Sequence, residues 1–284
     1  MSYKIIISSS STASLIEHSE NVIVIPDIIR YSENEEYSDG QNITLDIFYN
    51  RLRHDPHKPL VLPPKNEDLL KLIAKASRDN DNVVVILPAS GVIYYDEDNI
   101  TEIVTAKHHN VTFYESKLVG YPLAYLISIL EKNIDSGMSI DDALVILEKM
   151  ESNTECIFYV PKKDTLSISS FEKGMIKANK QDKFYRLSMA SIVEINNYDF
   201  ININDVLRYF IKKTDGIDVV PFIAYTNQIS YFVDYLEQKL LNVFVNLKKI
   251  NKVYIPAALG IKLGNTALGL GYIKKESRRK ASWL

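Results

Sequence analysis

Residues that could bind an anion are concentrated near the C-terminal end of the sequence. The segment 257–272, AALGIKLGNTALGLGY, holds four of the chain's ten glycines, with Lys262 between the first two. An apolar run leads into it, and glycines that follow a strand let the backbone approach another group closely or adopt a positive φ. A glycine-rich loop with the Lys262 ammonium, and with Thr266 as a minor participant, could form an anion-binding nest. One candidate function is therefore an enzyme acting on a phosphate-bearing ligand.

The well-known nucleotide-binding and catalytic motifs are absent from the sequence. Lys262 precedes Gly264 and no Gly-Lys-Ser/Thr occurs, so the segment does not match a phosphate-binding loop. Ser90 lies in PASGV instead of the GxSxG of a serine hydrolase, and the first predicted strand ends in serines where a dinucleotide fingerprint needs glycines. One cysteine, Cys156, and five histidines in polar surroundings disfavour zinc. We therefore expect neither a metal nor a cofactor.

Small polar residues follow three of the predicted strands. They are found at residues 8–12, at Ser90–Gly91 and at Glu115–Ser116. In an open α/β sheet, ligands bind at the carboxyl ends of the strands. A serine there donates to an anionic head group or caps a helix, and capping explains each serine better when it is taken singly. Taken together with the glycine-rich segment, they predict a ligand crevice.

Strand and helix patterns alternate through the first half of the sequence. Strands are predicted at residues 3–9, 21–29, 82–89, 110–116 and 155–161, and helices at 42–55, 66–80 and 120–133. Asn66 is the expected N-cap of one helix, and Ser139 to Asp142 resembles a capping box that opens another. This alternation predicts βαβ units and a mainly parallel sheet.

A polar, weakly patterned segment at residues 161–183 predicts a domain boundary. We expect an N-terminal α/β domain at residues 1–161 and a C-terminal α/β domain at residues 162–284. In the second domain, Asn196–Asn197 could turn a hairpin, residues 219–226 predict a strand, and residues 227–249 predict the longest helix.

The composition excludes several classes of protein. A net charge of −3 and 46% hydrophobic residues are typical of a globular protein without a basic field for nucleic acid. The one basic cluster, residues 274–283, is best interpreted as a solvated tail. The sequence contains no apolar run of 18 residues, the length that predicts a membrane span, so no stable membrane insertion is expected. The lone cysteine favours a reducing compartment, and we expect a cytoplasmic protein.

Partial matches to seven short motifs occur in a characteristic order along the chain. Residues 9–15 correspond to T-D-S-x-x-D-L, residues 24–26 to V-V-P, and residues 37–40 to Y-x-D-G. Further along the chain, residues 61–64 correspond to T-S-Q-P, residues 89–93 to L-S-G-T-Y, residues 115–116 to D-S, and residues 260–272 to G-x-H-x-G-P-G-A-L-G-L-G-Y. This order resembles the DegV-like family of bacterial fatty-acid-binding proteins. The last motif is the most specific match, and the resemblance covers most of the chain.

The resemblance implies a two-domain α/β fold with a long-chain fatty acid buried in a crevice between the domains. Family members hold the carboxylate with the Thr of T-S-Q-P, the Ser of L-S-G-T-Y and the His of the C-terminal motif. Ser90 keeps the serine, whereas the threonine position is Val61 and the histidine position is Lys262. The expected ligand-binding residues are Ser90, Gly91, Lys262, Val61, Leu62, Ser116 and Gly264.

Some family members present the carboxylate to a fatty-acid kinase, which makes acyl phosphate. An Arg in a K-G-G-R segment is associated with that partnership, and Met175 occupies its position here, which makes a kinase partner doubtful. A fatty acid can still bind although two of the three carboxylate-binding positions differ from the family. A charge-assisted bond from Lys262 to the carboxylate contributes about 1.5–3 kcal/mol, and each buried CH₂ of the tail contributes about 0.8 kcal/mol. The expected function is non-catalytic fatty-acid binding. A scaffold that has lost its ligand and acts through protein contacts is an alternative, as is the phosphate-ligand enzyme.

Overall fold

A four-stranded parallel sheet forms the centre of the first half of the chain, as the alternating pattern predicts. The structure is a computed structural model that describes residues 2–13, 15–55, 57–161, 182–188, 190–195, 200, 202–226 and 230–275. The sheet has the order β2-β1-β6-β7, with β1 at Tyr3–Ser8, β2 at Val22–Ile25, β6 at Asn82–Leu87 and β7 at Val111–Glu115. Its two central strands are largely apolar and almost fully buried, as is typical of a parallel sheet.

The described part of this half contains five helices. They are α1 (Leu45–His54), α2 (Asn66–Asp79), α3 (Glu97–Thr105), α4 (Tyr121–Asp135) and α5 (Ile140–Ser152). Half of the predicted capping box is present: the backbone N–H of Asp142 donates to Ser139 Oγ at 3.2 Å, while the Asp142 carboxylate accepts from the Ser139 hydroxyl at 2.6 Å. The predicted N-cap is wrong, because Asn66 is already the first helical residue and Lys65 precedes it without a side-chain cap.

A small three-stranded antiparallel sheet lies beside the parallel one. It has the order β4-β3-β5, with β3 at Ile28–Ser32, β4 at Glu35–Ser38 and β5 at Leu60–Leu62. The single strand predicted at residues 21–29 is therefore wrong. Pro26, which has no N–H for a sheet ladder, ends β2, and after Asp27 the chain enters a different sheet.

A six-stranded sheet forms the second half, with the order β10-β9-β8-β13-β11-β12. Its strands are β8 (Thr154–Val160), β9 (Lys183–Ser188), β10 (Ser191–Ile195), β11 (Val219–Tyr225), β12 (Asn251–Tyr254) and β13 (Leu268–Lys274). Neighbours are antiparallel except β11 and β12. The described helices are α6 (Ile203–Thr214), α7 (Ser230–Val243) and α8 (Ala257–Leu263).

The second half differs from the expected pattern at the glycine-rich segment and in the length of α7. The glycine-rich segment is not a loop, because α8 and β13 occupy most of it. The helix predicted as the longest is α7 with 14 residues, one shorter than α4. The predicted turn at Asn196–Asn197 lies outside the described residues, and β9 pairs with β10 in an antiparallel direction.

The core crosses between the halves. One cluster of buried residues joins the parallel sheet to the near face of the six-stranded sheet, including Cys156, Phe158 and Phe222. A second cluster lies on the far face, under α6 and α7. The predicted boundary at 161/162 remains a prediction, but β8, which it assigns to the first domain, pairs with β9 and β13 of the second sheet.

Candidate functional site

The near face of the six-stranded sheet packs against α4 and α8, and the contact is an apolar seam between the two halves. A small cavity of about 20 Å³ remains in it, and its walls are almost entirely apolar. The lining residues are Val119, Tyr121, Pro122, Cys156, Phe158, Leu187, Phe222, Ala224, Val253, Tyr254, Ile255, Pro256 and Leu259. A volume of this size holds about one water molecule. Side chains therefore close the seam almost completely.

Two glycines of β13 make this close packing possible. A Cβ on Gly269 would lie 2.8 Å from ring carbons of Phe158, and one on Gly271 would lie 2.1 Å from Phe222 Cζ. The groups that approach the backbone here are therefore aromatic rings instead of a phosphate. The phosphate nest inferred from these glycines has no support in this arrangement.

Helix α8 connects the seam to the surface. It packs against α1, β5 and the 3-10 turn Ser9–Ser11 that follows β1. Gly260 admits the Tyr49 hydroxyl, which donates to the Ile255 carbonyl at 2.7 Å. Lys262 is exposed in the last turn of α8, and Gly264 ends the helix with φ +87°, a value that favours glycine. Leu259 lines the cavity, so Lys262, three residues further on, lies about 4.5 Å along the same helix.

Strand β5 brings two more of the predicted residues to this helix. Val61 and Leu62 are half-buried and pair with Ile29 and Ile28 of β3. Val61 packs against the aromatic cluster of α1, as does Ile261 of α8. Strand β5, which carries Val61 and Leu62, thus lies against α8, which carries Lys262, although Val61 contributes no hydrogen-bond donor.

Ser90 and Gly91 form the turn after β6, and the hairpin of β9 and β10 packs on this turn. The Gly91 N–H donates to the carbonyl of Ala190 at 2.8 Å, and a Cβ on Gly91 would lie 2.1 Å from Ser191 Oγ. Ser90 itself is exposed. Gly91 therefore has a packing role between the halves, and the Ser90 hydroxyl faces solvent.

Ser116 is buried and already bonded to another part of the protein. Its hydroxyl donates to Glu151 of α5 and accepts from the Leu118 N–H at 3.0 Å. Burial raises the pKa of Glu151, while Ser116 and Tyr114 oppose the shift by donating to the carboxylate. Its Glu151 and Leu118 bonds give Ser116 a structural role in the described chain.

A larger cleft of about 460 Å³ opens beside Ser116, but its walls carry charges. They include Lys117, Glu155, Arg186, Lys213 and Lys274. An acyl chain gains nothing from polar walls, so the apolar seam is the better candidate for one.

Among the described residues, no group of three or more His, Cys, Asp or Glu could hold a metal ion. Cys156 lines the seam, and burial raises the pKa of its thiol well above the usual value, which keeps it protonated. In the same described part of the chain, no helix is both long and apolar enough to cross a membrane.

Comparison with protein families and with solved structures identifies the family and the fold of this chain. A family model described as "uncharacterised protein, DegV family" matches residues 2–170, more than half of the chain. The chain belongs to the DegV family. No curated protein sequence matches it.

Several solved structures share the DegV fold over almost the whole chain. A fatty-acid-binding DegV protein from Streptococcus agalactiae has a TM-score of 0.78 at 19% identity, covering 97% of this chain and 100% of its own. A stearic-acid-binding protein from Eubacterium ventriosum has a TM-score of 0.73 at 19% identity, with 96% and 98% coverage. The fatty acid kinase B3 protein of Streptococcus pneumoniae, loaded with linoleic acid, has a TM-score of 0.69 at 13% identity, with 97% and 100% coverage. These likenesses confirm the DegV-like α/β fold that the sequence predicts.

Sequence reasoning missed a polar cluster in this DegV chain. Ser9, Asp27, Asp39 and Tyr95 form a buried hydrogen-bonded network where the parallel and three-stranded sheets meet. Two features of the sequence could have indicated this cluster. They are the aspartate directly after Pro26 and the aspartate of the Y-x-D-G motif at residues 37–40.

Proposed function

We propose that this DegV-family protein binds a long-chain fatty acid between its two halves and performs no covalent chemistry itself. The observation that carries the proposal is the apolar seam, with its residual cavity, between the near face of the six-stranded sheet and helices α4 and α8. Fold neighbours described as binding stearic or linoleic acid support the same ligand class.

The carboxylate fits best at the surface end of α8. Lys262 lies one helical turn beyond Leu259, so a tail in the seam and a head group at the Lys262 ammonium can belong to one molecule. Ser90, exposed in the turn after β6, is the proposed hydroxyl donor to the carboxylate. An exposed ammonium interacts with a carboxylate less strongly than a buried one, so most of the affinity comes from the tail.

The seam must open to accept the tail. Ligand cavities of this kind measure about 300–1,000 Å³, far more than the space present. The described conformation is then the closed state. The apparent affinity for the fatty acid equals the affinity of the open state multiplied by the fraction of molecules that are open. Phe158 and Phe222 are the side chains that must move.

Native mass spectrometry of gently purified protein tests the proposal. We expect a bound mass equal to that of a fatty acid, and a thermal shift when palmitic, stearic or oleic acid is added to delipidated protein. Absence of both the bound mass and the thermal shift would rule the function out.

A scaffold without a ligand is the second candidate, and the closed seam favours it. Such a protein would act only through contacts with other proteins. It predicts no fatty-acid binding even when the seam is enlarged by substitution, whereas the first candidate predicts tighter binding. A kinase partner remains a prediction, because residues 172–175 lie outside the described residues.

A further inference from the structure

Two buried acids face each other where the parallel sheet meets the three-stranded sheet. Asp27, between β2 and β3, is fully buried, and Asp39, directly after β4, is 6% exposed. Ser9 stands between them, with its Oγ 3.0 Å from Asp27 Oδ2 and 2.9 Å from Asp39 Oδ2. The ion pairs found among the described residues include neither carboxylate. The two acids therefore lack a counter-charge there.

Counting hydrogens shows that Ser9 cannot satisfy two ionised carboxylates. Its hydroxyl carries one hydrogen, and one of its lone pairs already accepts the Asp27 N–H at 3.0 Å. The hydroxyl can donate to only one of the two acids. The other contact, equally short, becomes a hydrogen bond only if that acid supplies a hydrogen. One proton held by the pair satisfies both contacts with a full hydrogen bond each.

The contacts around each acid indicate where this proton resides. Asp27 also accepts the Ser10 N–H at 2.9 Å and the Tyr95 hydroxyl at 3.1 Å, so its negative charge is well supported. Asp39 has fewer donors and is the better proton carrier. Burial raises the pKa of Asp39 to about 6, and the nearby Asp27 charge acts in the same direction.

The other titratable groups that face the pair stay neutral. Burial is the main cause that raises the pKa values of Tyr95 and Tyr49 well above the usual range, so both remain protonated. Tyr95 lies just before α3 and Tyr49 lies in α1. Because a protonated tyrosine is uncharged, neither residue gives the two acids a counter-charge. Burial also raises the pKa of Asp27.

We propose that Asp27 and Asp39 jointly bind one proton through Ser9, and that this proton forms a pH-sensitive tie between the two sheets. Asp39 donates to Ser9 Oγ, and Ser9 donates to Asp27. The tie adds to a backbone bond from the Asp39 N–H to the Asp27 carbonyl at 2.9 Å. When the proton leaves, two negative charges surround one buried hydroxyl. The three-stranded sheet, which carries β5, then loosens from the carboxyl edge of the parallel sheet.

The direct test is a ¹³C NMR titration of the aspartate carboxyl carbons in the full chain, without added lipid. We expect one carboxyl to titrate near pH 6 and to disappear from that range in the Asp39→Asn protein. If every aspartate titrates below about pH 5, the shared proton does not exist. A midpoint that moves on replacing potassium with calcium at constant ionic strength would place a cation between the acids and would also overturn the proposal.

Unfolding in urea supplies a second readout. A raised folded pKa means that stabilisation is full below the unfolded value of 3.8 and is lost as pH rises through about 6. For one proton, the unfolding constant of the wild type should rise about fifty-fold from pH 4 to pH 7 relative to Asp39→Asn, whose amide donates to Ser9 at every pH. The exposed control Asp79→Asn should follow the wild type. Parallel pH curves for all three proteins would refute the tie, and if Asp39→Asn fails to fold, the NMR titration of the unaltered chain decides.

Discussion

Phe222 is the side chain whose removal best separates a ligand-binding seam from a structural one. It lies on β11 and is 1% exposed, with its ring over Gly271 and 5.1 Å from the Tyr121 ring. The ring also forms part of the wall of the 20 Å³ cavity. Phe222→Ala therefore enlarges the space in which we place the acyl tail, without touching Ser90 or Lys262.

The cost in stability follows from burial. Replacing a fully buried Phe by Ala lowers the free energy of unfolding by about 3–5 kcal/mol, through lost transfer energy and the cavity left behind. Each buried CH₂ of a ligand returns about 0.8 kcal/mol, so about four to six methylenes in the vacated space offset the loss. A long-chain fatty acid has more than enough methylenes.

The assay is urea unfolding of delipidated protein with and without palmitic acid, combined with a direct binding titration. The matched control is Phe184→Ala, because Phe184 is equally buried but belongs to the cluster on the far face of the same sheet. We expect both variants to lose stability and only Phe222→Ala to regain most of it with palmitic acid. Its affinity should also exceed that of the wild type, because only the Phe158 ring, and no longer the Phe222 ring, has to be displaced.

Two results would contradict this reasoning. Equal rescue of both variants would show that palmitic acid binds away from the near face of the sheet. No rescue of Phe222→Ala, with no binding in the titration, would show that the seam is only a core and would favour the ligand-free scaffold.

Three further substitutions test other parts of the site. Lys262→Ala should weaken fatty-acid binding a few fold in a titration, because an exposed charge pair contributes about 0.2–1 kcal/mol. The control Lys274→Ala, in the polar cleft, should leave the affinity unchanged, and equal affinities of the two variants would remove Lys262 from the site. Gly271→Ala should cost about 1–3 kcal/mol in urea unfolding because its Cβ would overlap an aromatic ring, and an unchanged midpoint would mean that the ring moves freely. Ser116→Ala should cost about 1–3 kcal/mol and more at pH 8 than at pH 4, because the hydroxyl stabilises the ionised form of Glu151; the same loss at both pH values would contradict this role.

The elements of the parallel sheet could be predicted because their signals are local. Residues 82–89 form an unbroken apolar run, and the helix at 66–80 shows a clear apolar face, so each pattern has one dominant interpretation. Pro26 was a weaker signal. A proline inside an apolar run is compatible with an edge strand or a bulge, whereas the chain uses it to pass from one sheet to another.

The site was harder to predict because its partners are distant in sequence. The glycines at 269 and 271 are equally compatible with a loop, a phosphate nest or a tightly packed strand. Only the rings of Phe158 and Phe222, brought in by neighbouring strands, decide between them. In the same way, Ser116 was interpreted as a ligand donor, and nothing near it in the sequence indicated that Glu151 would accept its hydrogen.

The position of β8 has a practical consequence for dissecting this protein. The strand follows α5 directly, yet it pairs between β9 and β13 near the middle of the six-stranded sheet. A fragment that ends after residue 161 would carry β8 with both edges unpaired and with Ile157 and Tyr159 exposed, which favours aggregation. The remaining fragment would have a gap at the centre of its sheet. Expression of separate halves should therefore divide the chain before Thr154, so that the strand travels with the sheet it completes.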